Sequence, residues 1–394
     1  MLCACADEQA IGVVLQVEPT ARAQVCLTAF GEGELLFQQA YEADAGGGTL
    51  TFVAGERIDQ SLRLGARLRR GGRAFGWASG QGVFRAPGET QVVLDVGRCH
   101  PGTPPGEIVL GRVEGASSLR AGDLDGDGVD EVLANAASIA VVGRAVIAGS
   151  ASFVAVSVAD VNGDCIDDVI ARGPGGLVEL PSARPLSAAG TLGVLGDAGL
   201  GQVLVSADAD GLRVGPLDGV MRGLTSASIL DLDVEDLDLD GTDDVIAVGV
   251  DGVEAFFGGE GGLMPARGAT PSPWSGIDVA IGDFDGDGFS DVAVAGDAEV
   301  FIGRNRGDGL MESRPSLPVV ANALLVVDVD RDCVEDLVIL AATPQVYFGR
   351  PDARLVAGPL LEPATDATAA DVDGDGAREL VLLFDDGEVR TWSP

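Results

Sequence analysis

From Glu107 onward the apolar residues fall in runs of about five, broken by acidic or glycine-rich turns at short intervals. Runs of that length read as strands and are too short for helices. The stretch 277–309 is the clearest. Ile277–Ile281 alternates into an acidic loop, Asp291–Ala295 leaves it, and a turn at Gly296-Asp297 leads to Glu299–Gly303. The turn Asn305–Gly309 then starts a fourth strand. Upstream, residues 7–98 alternate with period two through Ile11–Val17, Val25–Ala29, Leu35–Gln39, Thr49–Val53, Ser61–Leu68, Ala74–Ala78 and Gln91–Val96. About seven strands in so short a segment predict a small immunoglobulin-like β-sandwich. No apolar run is long enough to span a membrane as a helix.

The acidic loops repeat. The pattern Asp-x-Asp/Asn-x-Asp-x-x-x-Asp/Glu, followed by apolar residues, occurs six times. Its members are Asp123, Asp125, Asp127 and Glu131; Asp160, Asn162, Asp164 and Asp168; Asp236, Asp238, Asp240 and Asp244. The remaining three are Asp283, Asp285, Asp287 and Asp291; Asp328, Asp330, Asp332 and Asp336; Asp371, Asp373, Asp375 and Glu379. Successive copies start 37, 76, 47, 45 and 43 residues apart. The one double-length gap predicts a degenerate unit, and Gly196-Asp197 followed by Val203-Leu204-Val205 supplies it without the acids. Seven units of four strands predict an all-β, seven-bladed propeller over 107–394. The last unit ends after three strands at Glu388–Trp392, so the spare strand Glu107–Val113 is expected to complete it and close the ring.

Alternate positions one, three and five of such a loop point three oxygens inward. Position seven can add a carbonyl and position nine a carboxylate, while glycine at position six (Gly128, Gly241, Gly288, Gly376) permits the turn. An oxygen-only shell suits a hard cation better than zinc or copper. The units resemble FG-GAP/VCBS repeats, the blades of integrin α-subunit propellers and of many bacterial surface proteins. The Phe-Gly signature of that family appears at Phe257-Gly258 and Phe348-Gly349, weakened to Ile302-Gly303, Val142-Gly143 and Val214-Gly215. The resemblance implies Ca²⁺ as the metal, about six structural ions held by the 24 residues named above. It also implies that the calcium loops lie on one face and partners use the other, where the longest connection, Gly262–Gly276, carries Met264, Arg267 and Trp274. Asn162, and Cys165 and Cys333 at position six, predict weaker binding in two loops.

Charge sharpens this picture. The chain of 394 residues has 62 acidic and 25 basic residues, none of them lysine, for a formal charge of −37. Residues 1–100 hold nine Arg and 11 acids; the rest of the excess lies in the repeats. That distribution excludes nucleic acid as a partner and is what bound divalent cations would relieve. Arg63, Arg67, Arg69, Arg70 and Arg73 form a basic stretch, either a solvated strand face or a surface that docks on acids, including those of the chain's own propeller.

His100, in the short linker 99–106, is the only histidine. A Ser-His-Asp or Cys-His site within the repeats is therefore excluded, as are lysine Schiff bases. The expected function is non-enzymatic: adhesion or scaffolding toward a protein partner, with a glycan-binding, lectin-like role as the alternative. A polysaccharide lyase or hydrolase using carboxylates is left open, against it the scarcity of aromatics (5%). Arg306-Gly307-Asp308 is read as turn chemistry.

Of six cysteines, Cys26 and Cys99 bracket the N-terminal segment and suggest a disulfide, with buried free thiols as the alternative. Within the tail 1–6, Leu2-Cys3-Ala4-Cys5 resembles the end of a bacterial lipobox with Cys5 as the lipidated residue, the alternative being a start without meaning. The expected location is secreted or at a bacterial-type cell surface, as a monomer and possible outer-membrane lipoprotein.

Overall fold

The strands that leave the acidic loops are buried on both faces: Glu131–Asn135, Asp291–Ala295, Asp336–Leu340 and Glu379–Leu383 have no exposed position. A strand covered on both sides reads as a continuous apolar run rather than an alternation, which is the pattern the sequence carries. The structure is a computed structural model. It describes residues 10–17, 24–31, 34–42, 48–53, 61–70, 73–83, 89–96 and 101–394, the last range without 145, 148–151, 183, 188–191, 198–201, 218, 219, 226, 266–274, 310, 352 and 353. Every helix or strand among these residues is a β-strand.

Seven propeller-like sheets follow one another along the described chain from Val109. The first comprises Ser118–Gly122, Glu131–Asn135 and Ile139–Val141; the second Val154–Ala159, Asp168–Gly173, Gly176–Leu180 and Arg184–Ser187. The third, around the degenerate unit, comprises Leu192–Asp197, Gln202–Asp208, Gly211–Gly215 and Arg222–Thr225. The fourth comprises Ile229–Glu235, Asp244–Gly249, Gly252–Phe257 and Met264–Pro265; the fifth Asp278–Gly282, Asp291–Ala295, Val300–Arg304 and Glu312–Leu317. The sixth comprises Ala323–Val327, Asp336–Leu340, Gln345–Phe348 and Val356–Leu360. In the seventh, Asp366–Ala370, Glu379–Leu383 and Glu388–Trp392 are joined by Val109–Arg112, which pairs antiparallel with Glu388–Arg390. The strand before the first loop thus completes the last sheet, as expected.

The apolar core lies between sheets rather than within one. Leu133, Ile139, Ala155 and Val169 pack the first sheet on the second. Val205, Leu232 and Val245 join the third and fourth, and Leu119, Val132, Val381 and Leu383 join the seventh back to the first. Small Val and Ala side chains allow the close face-to-face packing. The first strands of successive sheets adjoin and surround a cavity of about 390 Å³, lined by Val158, Val194, Asp233, Ile281 and Leu325 among others.

The N-terminal strands form two further sheets. One orders Gly48–Val53, Ala10–Val17 and Glu89–Val96; the other Glu34–Glu42, Gln24–Gly31, Ser61–Arg70 and Arg73–Val83. Leu27, Leu64 and Leu68 of one share a core with Val92, Leu94 and Val96 of the other. All seven expected strands are present, each of them a residue or more longer. Cys26 bonds to Cys165, with Cα atoms 5.3 Å apart, and not to Cys99. Bracketing in sequence was a poor guide because the strand Gln24–Gly31 lies against the second acidic loop. Cys333 is also disulfide-bonded. Cys99, His100, Arg267, Trp274 and the tail with Cys5 lie outside the described residues. No described helix is long and apolar enough to cross a membrane.

Candidate metal sites

Each acidic loop is built by its own carboxylates. In the first, Asp123 Oδ1 accepts the Gly126 and Asp127 amides at 2.7 and 3.1 Å, and Oδ2 accepts Gly128 at 3.0 Å. Asp125 accepts the Asp127 amide, Asp127 that of Val129, and Glu131 that of Leu124. The same bond from position two to position nine recurs at Val161–Asp168, Leu237–Asp244, Val329–Asp336 and Val372–Glu379. Position nine also receives the amide of the residue ending the Phe-Gly signature: Gly258 to Asp244 at 2.8 Å, Gly349 to Asp336 at 2.9 Å. A Cβ at Gly349 would sit 2.3 Å from Glu335 O, so the signature demands glycine where strand and loop meet. Position six is left-handed throughout, with φ of 86–90° at Gly128, Gly241, Gly288 and Gly376 and 71° at Cys165 and Cys333. Two cysteines hold a conformation that favours glycine, and both are disulfide-bonded.

Carboxylate oxygens gather within one ion's reach at Asp123, Asp125 and Asp127; at Asp236, Asp238 and Asp244; at Asp283, Asp285 and Asp291; and at Asp328, Asp330 and Asp332. Burial, and then the neighbouring acids, pushes the position-nine groups up: Glu131, Asp244, Asp291 and Asp336 to about 8, Glu379 to about 7, Asp168 to about 6. At position one Asp123, Asp236 and Asp328 rise to about 6 and Asp371 to about 8, again chiefly by burial. Desolvated acids at close quarters favour a cation or a proton. The all-oxygen donor set fits Ca²⁺.

Arginines already reach several of these groups. Arg144 pairs with Asp125 and Glu131, Arg304 with Asp285 and Asp287, Arg350 with Asp330 and Asp332, and Arg331 with Asp375 and Glu379.

The basic stretch of the N-terminal segment docks on the same end of the sheets. Along Ser61–Arg70, Leu62, Leu64, Ala66 and Leu68 enter the N-terminal core while Arg63, Arg67 and Arg69 face the loops. Arg63 pairs with Asp127 at 2.9 Å, Arg67 with Asp130 at 3.0 Å and Asp123 at 3.4 Å, Arg69 with Asp167 at 2.6 Å. Arg70 meets Asp236 and Asp243, each at 3.3 Å. Arg67, Arg69 and Arg70 are buried. Burial opposes the Arg67 charge, but Asp130, Asp123, Asp167 and Asp371 outweigh it and hold the guanidinium protonated. Gly65 allows the approach, since a Cβ there would lie 3.2 Å from Gly128 Cα. With Ala74, Arg67 lines the loop end of the central cavity.

One set of functional residues here lies outside the repeat pattern of alternate acids: the acids at position eight. Asp167 of the second loop donates its amide to Asp123 O at 2.9 Å and accepts the Asp123 amide on Oδ2 at 3.0 Å. Asp243 holds Asp197, and Glu335 holds Asp283, in the same two-way clasp between neighbouring sheets. The acid doublets 130–131, 167–168, 243–244 and 335–336 were the available signal.

Residues 283–339 match the FG-GAP-like repeat family. No curated protein matches the chain by sequence. Among solved structures, one chain of the crystal structure of BBS1N in complex with ARL6DN, soaked with mercury, is similar with a TM-score of 0.54 at 12% identity, covering 74% of this chain and 96% of that one. An Agrocybe aegerita lectin specific for non-reducing terminal N-acetylglucosamine is similar at 0.45 and 16% identity, over 95% and 98%. PorZ, a type-IX secretion surface component of Porphyromonas gingivalis, is similar at 0.41 and 12%, over 74% and 39%. At such identities a likeness speaks to the fold, and only the first is close enough to do so.

Proposed function

We propose that the chain, whose residues 283–339 match the FG-GAP-like repeat family, is an FG-GAP-type propeller that works as a calcium-stabilised, non-enzymatic binding protein, secreted or held at the cell surface. In this reading a seven-bladed propeller, one blade degenerate, carries an N-terminal β-sandwich on its loop end and meets a protein partner with the opposite end. The observation that carries the calcium part is the recurrence, loop after loop, of buried inward carboxylates held well above their ordinary range. Bound Ca²⁺ would supply the positive charge that offsets the gathered carboxylates; the chain's part is to hold the oxygens inward through the loop amides. The disulfide Cys26–Cys165 suits an oxidising compartment.

The docked N-terminal strand covers part of the loop end, which leaves the other end for contacts. Strand starts and second-to-third turns lie there, and Leu230, Val250, Ile277 and Val320 are exposed on it. Gly276 donates its amide to Gly249 O, so the neighbours Val250 and Ile277 lie close across two sheets. Exposed apolar groups of this kind are what a protein partner buries. The test is capture of extracellular proteins by the labelled chain, run beside a glycan array, with wild type and an Ile277→Asp, Val320→Asp variant. Specific capture that the variant loses, with a silent array, supports the reading. Array binding that the variant retains overturns it in favour of a glycan ligand.

A further inference from the structure

Calcium at these loops is not expected to bind alike. Resting on the calcium reading above, we infer that the loops fill in an order set by arginines, Asp236–Asp244 first and Asp123–Glu131 last. An incoming cation must displace any guanidinium that already holds its ligands, and it is repelled by one that stays nearby. In the first loop all four expected ligands are paired: Asp125 and Glu131 with Arg144, Asp127 with Arg63, Asp123 with Arg67. The loops at 283–291, 328–336 and 371–379 each have two ligands paired, with Arg304, Arg350 and Arg331. In the loop at 236–244 only Asp236 meets a described arginine, Arg70 at 3.3 Å. Asp238, Asp240 and Asp244 pair with no arginine among the described residues. Among the described residues no arginine pairs with Asp160, Asp164 or Asp168, but this loop has Asn162 in place of one carboxylate, which puts it second.

One chain position accounts for most of the difference. Arg144, Arg304 and Arg350 each follow the glycine that ends the third strand, at Val142-Gly143-Arg144, Ile302-Gly303-Arg304 and Phe348-Gly349-Arg350. In the sixth sheet the amide of that glycine bonds to the position-nine carboxylate, so the next side chain stands over the loop. The fourth sheet makes the same bond from Gly258, but its next residue is Gly259, which has no side chain to place there. This counter-ion beside the family signature is absent from two loops that keep all four carboxylates: the loop at 371–379, which takes Arg331 from the neighbouring unit instead, and the loop at 236–244, where no described arginine replaces it at Asp238, Asp240 or Asp244.

The experiment is isothermal titration of Ca²⁺ into the full chain stripped with EGTA. One ion is expected to bind roughly tenfold or more tighter than the last to enter. Asp240→Asn should remove that first step, whereas Asp287→Asn should leave it. Arg304→Gln, which keeps every carboxylate, should move one further ion into the tight group. A first step that survives Asp240→Asn, or an Arg304→Gln titration identical to wild type, overturns the order while leaving calcium binding intact. Absence of any calcium-dependent heat or stabilisation in the wild type overturns the calcium reading itself, and the order with it. Circular dichroism melting of each variant checks folding, and Arg304→Gln removes no group that the strand pairing uses.

Discussion

Asp130 and Asp371 exchange two hydrogen bonds across the seam where the seventh sheet meets the first: the Asp130 amide donates to Asp371 O at 2.7 Å, and the Asp371 amide to Asp130 Oδ2 at 2.9 Å. The residues are 241 apart in sequence, and the other oxygen of Asp130 faces Arg67 of the N-terminal strand at 3.0 Å. One carboxylate thus joins the ring's two ends and its docked segment. Asp130→Ala leaves a buried guanidinium without its nearest partner, and about 3 kcal/mol of stability should be lost. Urea denaturation checks this, with Asp386→Ala as the control, because its pair with Arg112 is exposed and its midpoint should not move. Equal midpoints for the two variants would show the seam to be held by apolar packing alone.

Removal of calcium should lower the melting temperature of the whole chain. At about 1 mM calcium and a Kd of roughly 0.1–1 mM, each site contributes about 0.4–1.4 kcal/mol. The N-terminal segment carries none of the expected calcium ligands. The disulfide and the buried pairs of Arg67, Arg69 and Arg70 instead tie it to the loops, so one coupled transition is expected. Scanning calorimetry with and without EGTA reads this out, and Asp285→Ala with Asp287→Ala should cost less than EGTA. Coincident curves would mean that the loops need no metal.

The disulfide between Cys26 and Cys165 spans 139 residues. Cys26→Ser should cost about 2–5 kcal/mol, mainly by freeing the unfolded chain. Peptide mapping without reduction should recover Cys26 joined to Cys165; recovery joined to Cys99 would refute the docking of Gln24–Gly31 on the second loop. The same digest identifies the partner of Cys333.

Stability should fall as pH rises from the ordinary carboxylate range toward 9, with calcium saturating so that the loops do not titrate. Asp278 is half-buried between the fourth and fifth sheets and hydrogen-bonded to Asp231; desolvation first, then the Asp231 charge, pushes it up to about 9. Its folded pKa lies above its unfolded one, so the folded state holds the proton more tightly. That stabilisation is full below pH 4 or so and is lost as pH rises through the folded value. Asp278→Asn keeps an acceptor for the Leu324 amide, bonded at 2.6 Å, and should flatten the profile. A variant profile parallel to wild type would place the titration elsewhere.

The sequence by itself determined the units. Acidic loops in register, buried second strands and the degenerate copy at Asp197 were legible because each is a matter of residues a few positions apart, and the closing strand before the first loop followed from counting strands per unit. The same holds for the seven N-terminal strands, whose period of two survives without any partner. What only the tertiary structure decided are the meetings of distant residues: Cys26 with Cys165, Arg67 with Asp130, Asp243 with Asp197, Arg304 over Asp285. The basic stretch at 63–73 left both a solvated face and a docked one open, since alternation says which residues share a face and not what covers it. Closing the sheets on one another brings the position-eight acids Asp130, Asp167, Asp243 and Glu335 against their neighbours, and that curvature is written in packing between sheets, in no local spacing of the chain.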